Sequence, residues 1–218
     1  MTDIPVTAPF DGSEINTVPN ATREDVERAL ATAHGLYRDR DGWLSKPQRI
    51  EILRKAAEII KERRQELAVA AAREGGKPLP DSLVEIDRAA DGVENCVEVL
   101  RSEGGRVIPM SLNPSSTGRV AFTQFEPIGV VVAVSAFNHP FNLIVHQVAP
   151  AIAVGCPVIV KPADVTPLSC YAFVEILYEA GLPKEWCQVL VPQDLGDASA
   201  LVTDERNAFF SFIGSARV

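Results

Sequence analysis

The chain has 218 residues, 46% of them hydrophobic and 23% charged, enough to bury a core without disulfide or metal staples. Its 21 basic and 29 acidic residues leave a net charge of −8, which argues against a general electrostatic grip on nucleic acid or an anionic membrane, although a local basic spot could hold one phosphate group. No apolar run approaches the roughly 20 residues of a membrane span, and the charge-rich start does not read as a signal peptide, so a cytoplasmic protein is expected.

The first half reads as helices. Thr22-Arg23-Glu24-Asp25 resembles a capping box, followed at helical spacing by Val26, Leu30, Ala33 and Tyr37. Ser45 and Gln48 open a second helix that tolerates Pro47 in its first turn, lines one face with Ile50, Leu53, Ala57, Ile60 and Leu67, and stops at Gly75-Gly76. Ser82-Leu83-Val84-Glu85 starts a third, ending at Gly104-Gly105. Residues 1–105 are thus expected to form a helical part. Residues 106–126 then carry two short extended segments around Asn113-Pro114-Ser115-Ser116, and Val120, Phe122 and Gln124 alternate with their neighbours as in a hairpin arm.

From Pro127 to Val218, apolar runs alternate with helical stretches. Gly129–Val134, Pro157–Val160, Cys187–Val191 and Ala208–Phe212 read as strands; Phe141–Val154, Pro167–Ala180 and Ala198–Val202 read as helices. Continuous apolar strands between amphipathic helices predict an α/β fold, a Rossmann-like doubly wound parallel sheet preceded by the N-terminal helices. The four cysteines, Cys96, Cys156, Cys170 and Cys187, lack CxxC spacing and read as isolated small hydrophobes. His139 and His146, seven residues apart, could share a helix face, but no acidic or cysteine partner stands at ligand spacing, so no metal is expected.

Ligands of open α/β sheets bind beyond the carboxyl ends of the strands, and three such ends carry unusual residues. After GVVVAV come Ser135-Ala136-Phe137-Asn138, where Asn138 is either an N-cap or an amide donor into a cleft. After PVIV come Lys161-Pro162-Ala163-Asp164, where the lysine either meets ligand hydroxyls and phosphates or pairs with Asp164. Thr166 before Pro167 reads as an ordinary helix cap. After the last strand, Gly214-Ser215 is either a turn and cap or an anion seat of free backbone N–H groups.

Taken together, Glu126-Pro127-Ile128-Gly129, Phe137-Asn138, Ala149-Pro150-Ala151, Lys161-Pro162-Ala163, Thr166-Pro167-Leu168 and Phe212-Ile213-Gly214-Ser215 resemble, in order and spacing, the aldehyde dehydrogenase superfamily. The resemblance implies that Asn138 donates to the oxyanion formed when a cysteine thiolate attacks an aldehyde. It implies that Lys161 and Asp164 take the adenosine ribose of NAD, with Asp164 disfavouring the extra phosphate of NADP, which remains possible. It further places Gly214, Ser215 and Val218 at the pyrophosphate-binding helix start, Ser135 and Phe137 beside the nicotinamide, and residues 106–126 in an oligomerisation arm.

Ala136-Phe137 stands where many members have Pro-Trp, and Gln193-Asp194-Leu195-Gly196 where a glycine-rich turn is common. Members exceed twice this length, and their general base and nucleophilic cysteine follow the position of Val218. The expectation is therefore a cofactor-binding half, an incomplete aldehyde dehydrogenase fold, that acts on a small aldehyde only with a catalytic half and is inactive alone. Two alternatives stay open: a non-catalytic remnant or interaction module with at most weak dinucleotide affinity, and part of a CoA-acylating semialdehyde dehydrogenase. A homo-oligomer, or dependence on the missing half, is expected.

Overall fold

A computed structural model describes residues 3–215. It opens with an antiparallel hairpin, β1 (Ile4–Thr7) and β2 (Glu14–Val18), paired Ile4 to Val18. Nothing in the sequence reading anticipated it: only Ile4 and Val6 of β1 point inward, and Pro5 between them speaks against a strand. The hairpin buries Ile4, Val6 and Val18 against Val191.

Helices α1 (Arg23–Arg38), α2 (Lys46–Glu62), α3 (Arg64–Gly75) and α4 (Leu79–Ser102) follow. The Thr22/Asp25 and Ser45/Gln48 capping boxes both form as expected. The long second helix is in fact two, broken at Arg63 without a glycine or proline to announce it. The expected start at Ser82 is also corrected. Helix α4 begins at Leu79 behind Pro78, and Ser82 Oγ is buried without a partner. Short strands β3 (Val107–Ile108) and β4 (Ala121–Phe122) pair antiparallel and form a two-stranded arm. At its base Gly105, with φ +88°, lets the chain pass so close to the Thr123 carbonyl that a Cβ there would lie 2.0 Å from the oxygen.

The second half alternates β5 (Val130–Val134), α5 (Asn142–Val154), β6 (Val158–Lys161), α6 (Leu168–Glu179), β7 (Cys187–Val189), α7 (Leu195–Thr203) and β8 (Asn207–Phe212). Among the described residues, the four strands form a parallel sheet in the order β7-β6-β5-β8. Its two faces bury different side chains. Val131, Ala133, Val158 and Val160 pack into one core with residues of α2 to α6, while Val130, Val132 and Ile159 pack against α1 and Leu201 of α7. Helices on both faces are what continuous apolar strands require, and the order reverses between β5 and β8, creating a crevice at the carboxyl ends.

Helix α5 is held at both ends by distant side chains. The Arg49 guanidinium donates to the Ala153 carbonyl at its C-terminus, complementing the helix dipole. Its last turn closes on Gly155 in the left-handed region, φ +85°. At its N-terminus, the buried Glu85 carboxylate of α4 accepts the backbone N–H of Phe141 (2.9 Å) and Asn142 (3.1 Å). Helix α6 is capped in the same way by Glu74, whose carboxylate accepts the amides of Leu168 and Ser169 and the Ser169 hydroxyl. The expected cap at Thr166 is thereby corrected: Glu74 supplies the acceptor, and Thr166 Oγ1 is buried without a partner.

Candidate functional site at the strand tips

In the sheet register, Val134 lies opposite both Lys161 and Phe212, so β5, β6 and β8 end at one level. The ladder continues one step beyond the strands: Ser135 N–H donates to the Lys161 carbonyl (3.0 Å) and Ile213 N–H to the Val134 carbonyl (2.9 Å). Three loops therefore leave the same edge side by side, carrying Ser135 to Asn138, Lys161 to Asp164, and Gly214-Ser215. Val218 lies outside the described residues.

Within that edge the residues differ in setting. Ser135 is buried and its Oγ has no partner; Phe137 and Asn138 are exposed. Helix α5 starts at Asn142, four residues past Asn138, and has no side-chain cap of its own, so the N-cap reading of Asn138 fails. Lys161 Nζ donates to Asp164 Oδ1 at 2.7 Å and to the Pro162 carbonyl at 3.3 Å; the lysine side chain is 15% exposed and the aspartate 56%. The ion pair held open as an alternative is thus present. It leaves the second carboxylate oxygen and donor capacity of the ammonium outside the pair. Among the described residues, no side-chain hydrogen bond joins Asn138 to Lys161 or Ser215; the backbone register is what unites them.

Phe137 and Asp164 line a common cleft of about 370 Å³ with Val6 and Thr7 of the hairpin, Glu74 and Thr166. Burial pushes the Glu74 carboxyl above its ordinary value, against the lowering effect of Ser169 and the two amides. Beside Asn138, His139 Nδ1 lies 2.9 Å from Lys77 Nζ, and Lys77 pairs with the fully buried Glu85 side chain. His139 therefore sits in the loop before α5 and shares no helix face with His146. On the sheet side, Gln147 Nε2 donates to the carbonyls of Val134 (3.1 Å) and Ser211 (3.0 Å), tying β5 to β8.

Sequence reasoning missed Glu74, Glu85 and Gln147. Only Gln147 carries a local signal, a polar residue inside the apolar run Leu143–Val154. Burial raises the Cys96 thiol to about 11 and pushes Cys170 and Cys187 well up, which disfavours the thiolate form of these three; Cys156 is buried. Among the described residues, no three His, Cys, Asp or Glu side chains cluster as metal ligands, and no helix is long and apolar enough to cross a membrane.

A parallel sheet with its order reversed at a polar crevice defines a dinucleotide-type α/β fold. The aldehyde dehydrogenase family model matches residues 1–218, and the chain belongs to that family. It is 37% identical over 198 residues to the 3-sulfolactaldehyde dehydrogenase of Priestia aryabhattai, covering 91% of this chain and 41% of that protein. It is 35% identical to a betaine aldehyde dehydrogenase of Cereibacter sphaeroides, covering 97% and 42% respectively. Among solved structures, glyceraldehyde-3-phosphate dehydrogenase GapN of Methanocaldococcus jannaschii, complexed with NADP, superposes with a TM-score of 0.90 at 30% identity over 100% of this chain and 47% of that one. An NAD-dependent benzaldehyde dehydrogenase of Corynebacterium glutamicum gives 0.88 at 28% identity, covering 99% and 46%. The chain thus spans less than half the length of these relatives.

Proposed function

We propose that these residues form the cofactor-binding half of an NAD(P)-dependent aldehyde dehydrogenase that oxidises an aldehyde to a carboxylic acid. The observation that carries this reading is the register at Val134, which brings the loops of Asn138, Lys161 and Ser215 to one edge of the sheet. The donor set suits a dinucleotide. An ammonium and a carboxylate at one strand tip match the hydroxyls of a ribose, and the backbone N–H groups of Gly214 and Ser215 after β8 suit a pyrophosphate. Phe137, exposed beside them, and Ser135 flank the nicotinamide end. The nicotinamide, when bound, supplies the hydride acceptor.

Asn138 then acts as the oxyanion donor. A nucleophile from outside these residues attacks the carbonyl carbon, and negative charge builds on its oxygen. An Asn amide N–H already in place stabilises that charge by about 3 kcal/mol, without the reorganisation water would need. The raised thiols support the view that this chain contributes no nucleophile and turns over no aldehyde alone. Asp164 favours NAD, because its carboxylate would repel a 2′-phosphate. The exposed apolar side chains of the arm, among them Val107, Val120 and Phe122, suit contact with a second copy in a homo-oligomer. Calorimetric titration of the chain with NAD and NADP tests the core of the reading. Binding that Lys161→Met weakens about tenfold, the worth of one charge-assisted hydrogen bond, supports it; no binding of either nucleotide overturns it.

A further inference from the structure

We infer that Glu85 is a positioning residue for Asn138, which it reaches through the backbone; the inference rests on reading Asn138 as the oxyanion donor. The loop between β5 and α5 is pinned at its upstream end by the sheet ladder at Ser135. At its downstream end one Glu85 oxygen accepts the amides of Phe141 and Asn142, alongside the Leu143 N–H bond to the His139 carbonyl and the buried Phe141 ring packed on Phe173. The other oxygen holds Lys77, whose ammonium reaches His139 Nδ1 at 2.9 Å. The residue after Asn138 and the turn that follows are thus both traced to a single carboxylate.

The choice of a distant cap has a chemical consequence. A helix usually recruits a short polar side chain from its own entry loop, and Asn is among the preferred ones. Here the cap position falls on Phe141, which has no polar side chain, and Asn138 stands three residues before it. The acceptor comes from α4 instead, and among the described residues Asn138 makes no side-chain hydrogen bond, so its amide stays available to a ligand. Burying a carboxylate is expensive unless it is paired and fully hydrogen-bonded, and Glu85 meets both conditions with Lys77 and two amides. An exposed local cap would have served the helix without that cost.

The test is NMR on the 218-residue chain. In Glu85→Ala, amide exchange at Phe141 and Asn142 is expected to rise at least tenfold. The backbone order parameter of Asn138 is expected to fall from near ~0.85 to below ~0.6. Glu85→Gln, which keeps an acceptor for both amides, is expected to restore their protection. Exchange at Leu168 and Ser169, capped by Glu74, should not move. An unchanged Asn138 order parameter, or uniform loosening of both helix starts, overturns the inference. Should Glu85→Ala fail to fold, Lys77→Met decides instead. It leaves the carboxylate on the two amides, with His139 Nδ1 still 3.6 Å from the other carboxylate oxygen, so protection at Phe141 and Asn142 and order at Asn138 should both persist; loss of order at Asn138 with the two amides still protected is again fatal. None of these readouts needs turnover, so their failure removes the anchor and leaves the oxyanion reading standing. Conversely, an Asn138→Ala variant with undiminished turnover in a catalytically complete assembly removes the oxyanion reading and leaves the anchor.

Discussion

The Ser169 hydroxyl donates to the Glu74 carboxylate at 2.6 Å, joining the end of α3 to the start of α6 across 95 residues of sequence. The same carboxylate oxygen accepts the Ser169 amide at 3.0 Å. Removing a buried acceptor strands the groups that used it, so Glu74→Ala is expected to cost about 1–3 kcal/mol in urea unfolding.

The pH dependence of that site has a defined sign. Burial raises the Glu74 carboxyl above 4.5 in the folded protein. A carboxyl raised in this way contributes stability that is fully present below its unfolded pKa and is lost as pH rises through the folded value. Asp25 and Asp87, lowered by hydrogen bonds to Thr22 and Arg64, work in the opposite direction and mask the effect in the wild type. The difference between wild type and Glu74→Gln isolates it. The variant should gain stability relative to wild type as pH rises from about 4 towards neutrality, measured as the shift in urea midpoint.

Gln147 of α5 bridges the β5–β8 seam, donating to a carbonyl on each strand. Gln147→Leu keeps the volume but removes the hydrogen bonds to the Val134 and Ser211 carbonyls, and should destabilise by about 1 kcal/mol. Hydrogen exchange should localise the change to β8 and the Ile213 amide, whose acceptor is the same Val134 carbonyl.

Thiol labelling checks the electrostatics of the cysteines. With three thiols buried and the fourth half-buried, a charged aromatic disulfide at pH 8 should label the native chain negligibly on the timescale of minutes, and all four residues in denaturant. A rapidly reacting native thiol would reopen the question of a nucleophile within these residues.

Specificity for the cofactor can be moved at one position. On the proposed reading, Asp164→Ser removes the negative charge that would meet a 2′-phosphate and should raise the NADP-to-NAD affinity ratio about tenfold or more, read by titration calorimetry. Lys161, released from its ion pair, should keep NAD binding measurable in that variant.

The sheet was legible because GVVVAV and PVIV are apolar at every position, the mark of strands covered on both faces. Both predicted capping boxes formed because each lies within four consecutive residues. The β1–β2 hairpin was not legible, since two inward residues separated by Pro5 carry too little period. Nor were the caps from Glu74 and Glu85. On a helix, an acidic residue reads as solvated surface, and only tertiary packing brings it to an amide 56 or 95 residues away. For the site, sequence located the three strand tips as unusual, but their common level at Val134 is a property of register, which no single strand contains.

The long-range ties between the early helices and the later ones also bear on how the chain is made. Arg49 waits for Ala153, Glu85 for Phe141, and Glu74 for Ser169, so α2 to α4 emerge from the ribosome with part of their apolar faces uncovered and the amide partners of two buried acids still to be made. High contact order of this kind slows folding and prolongs exposure to aggregation. Nascent chains arrested before α6 has cleared the exit tunnel should therefore be the ones that holdase chaperones retain.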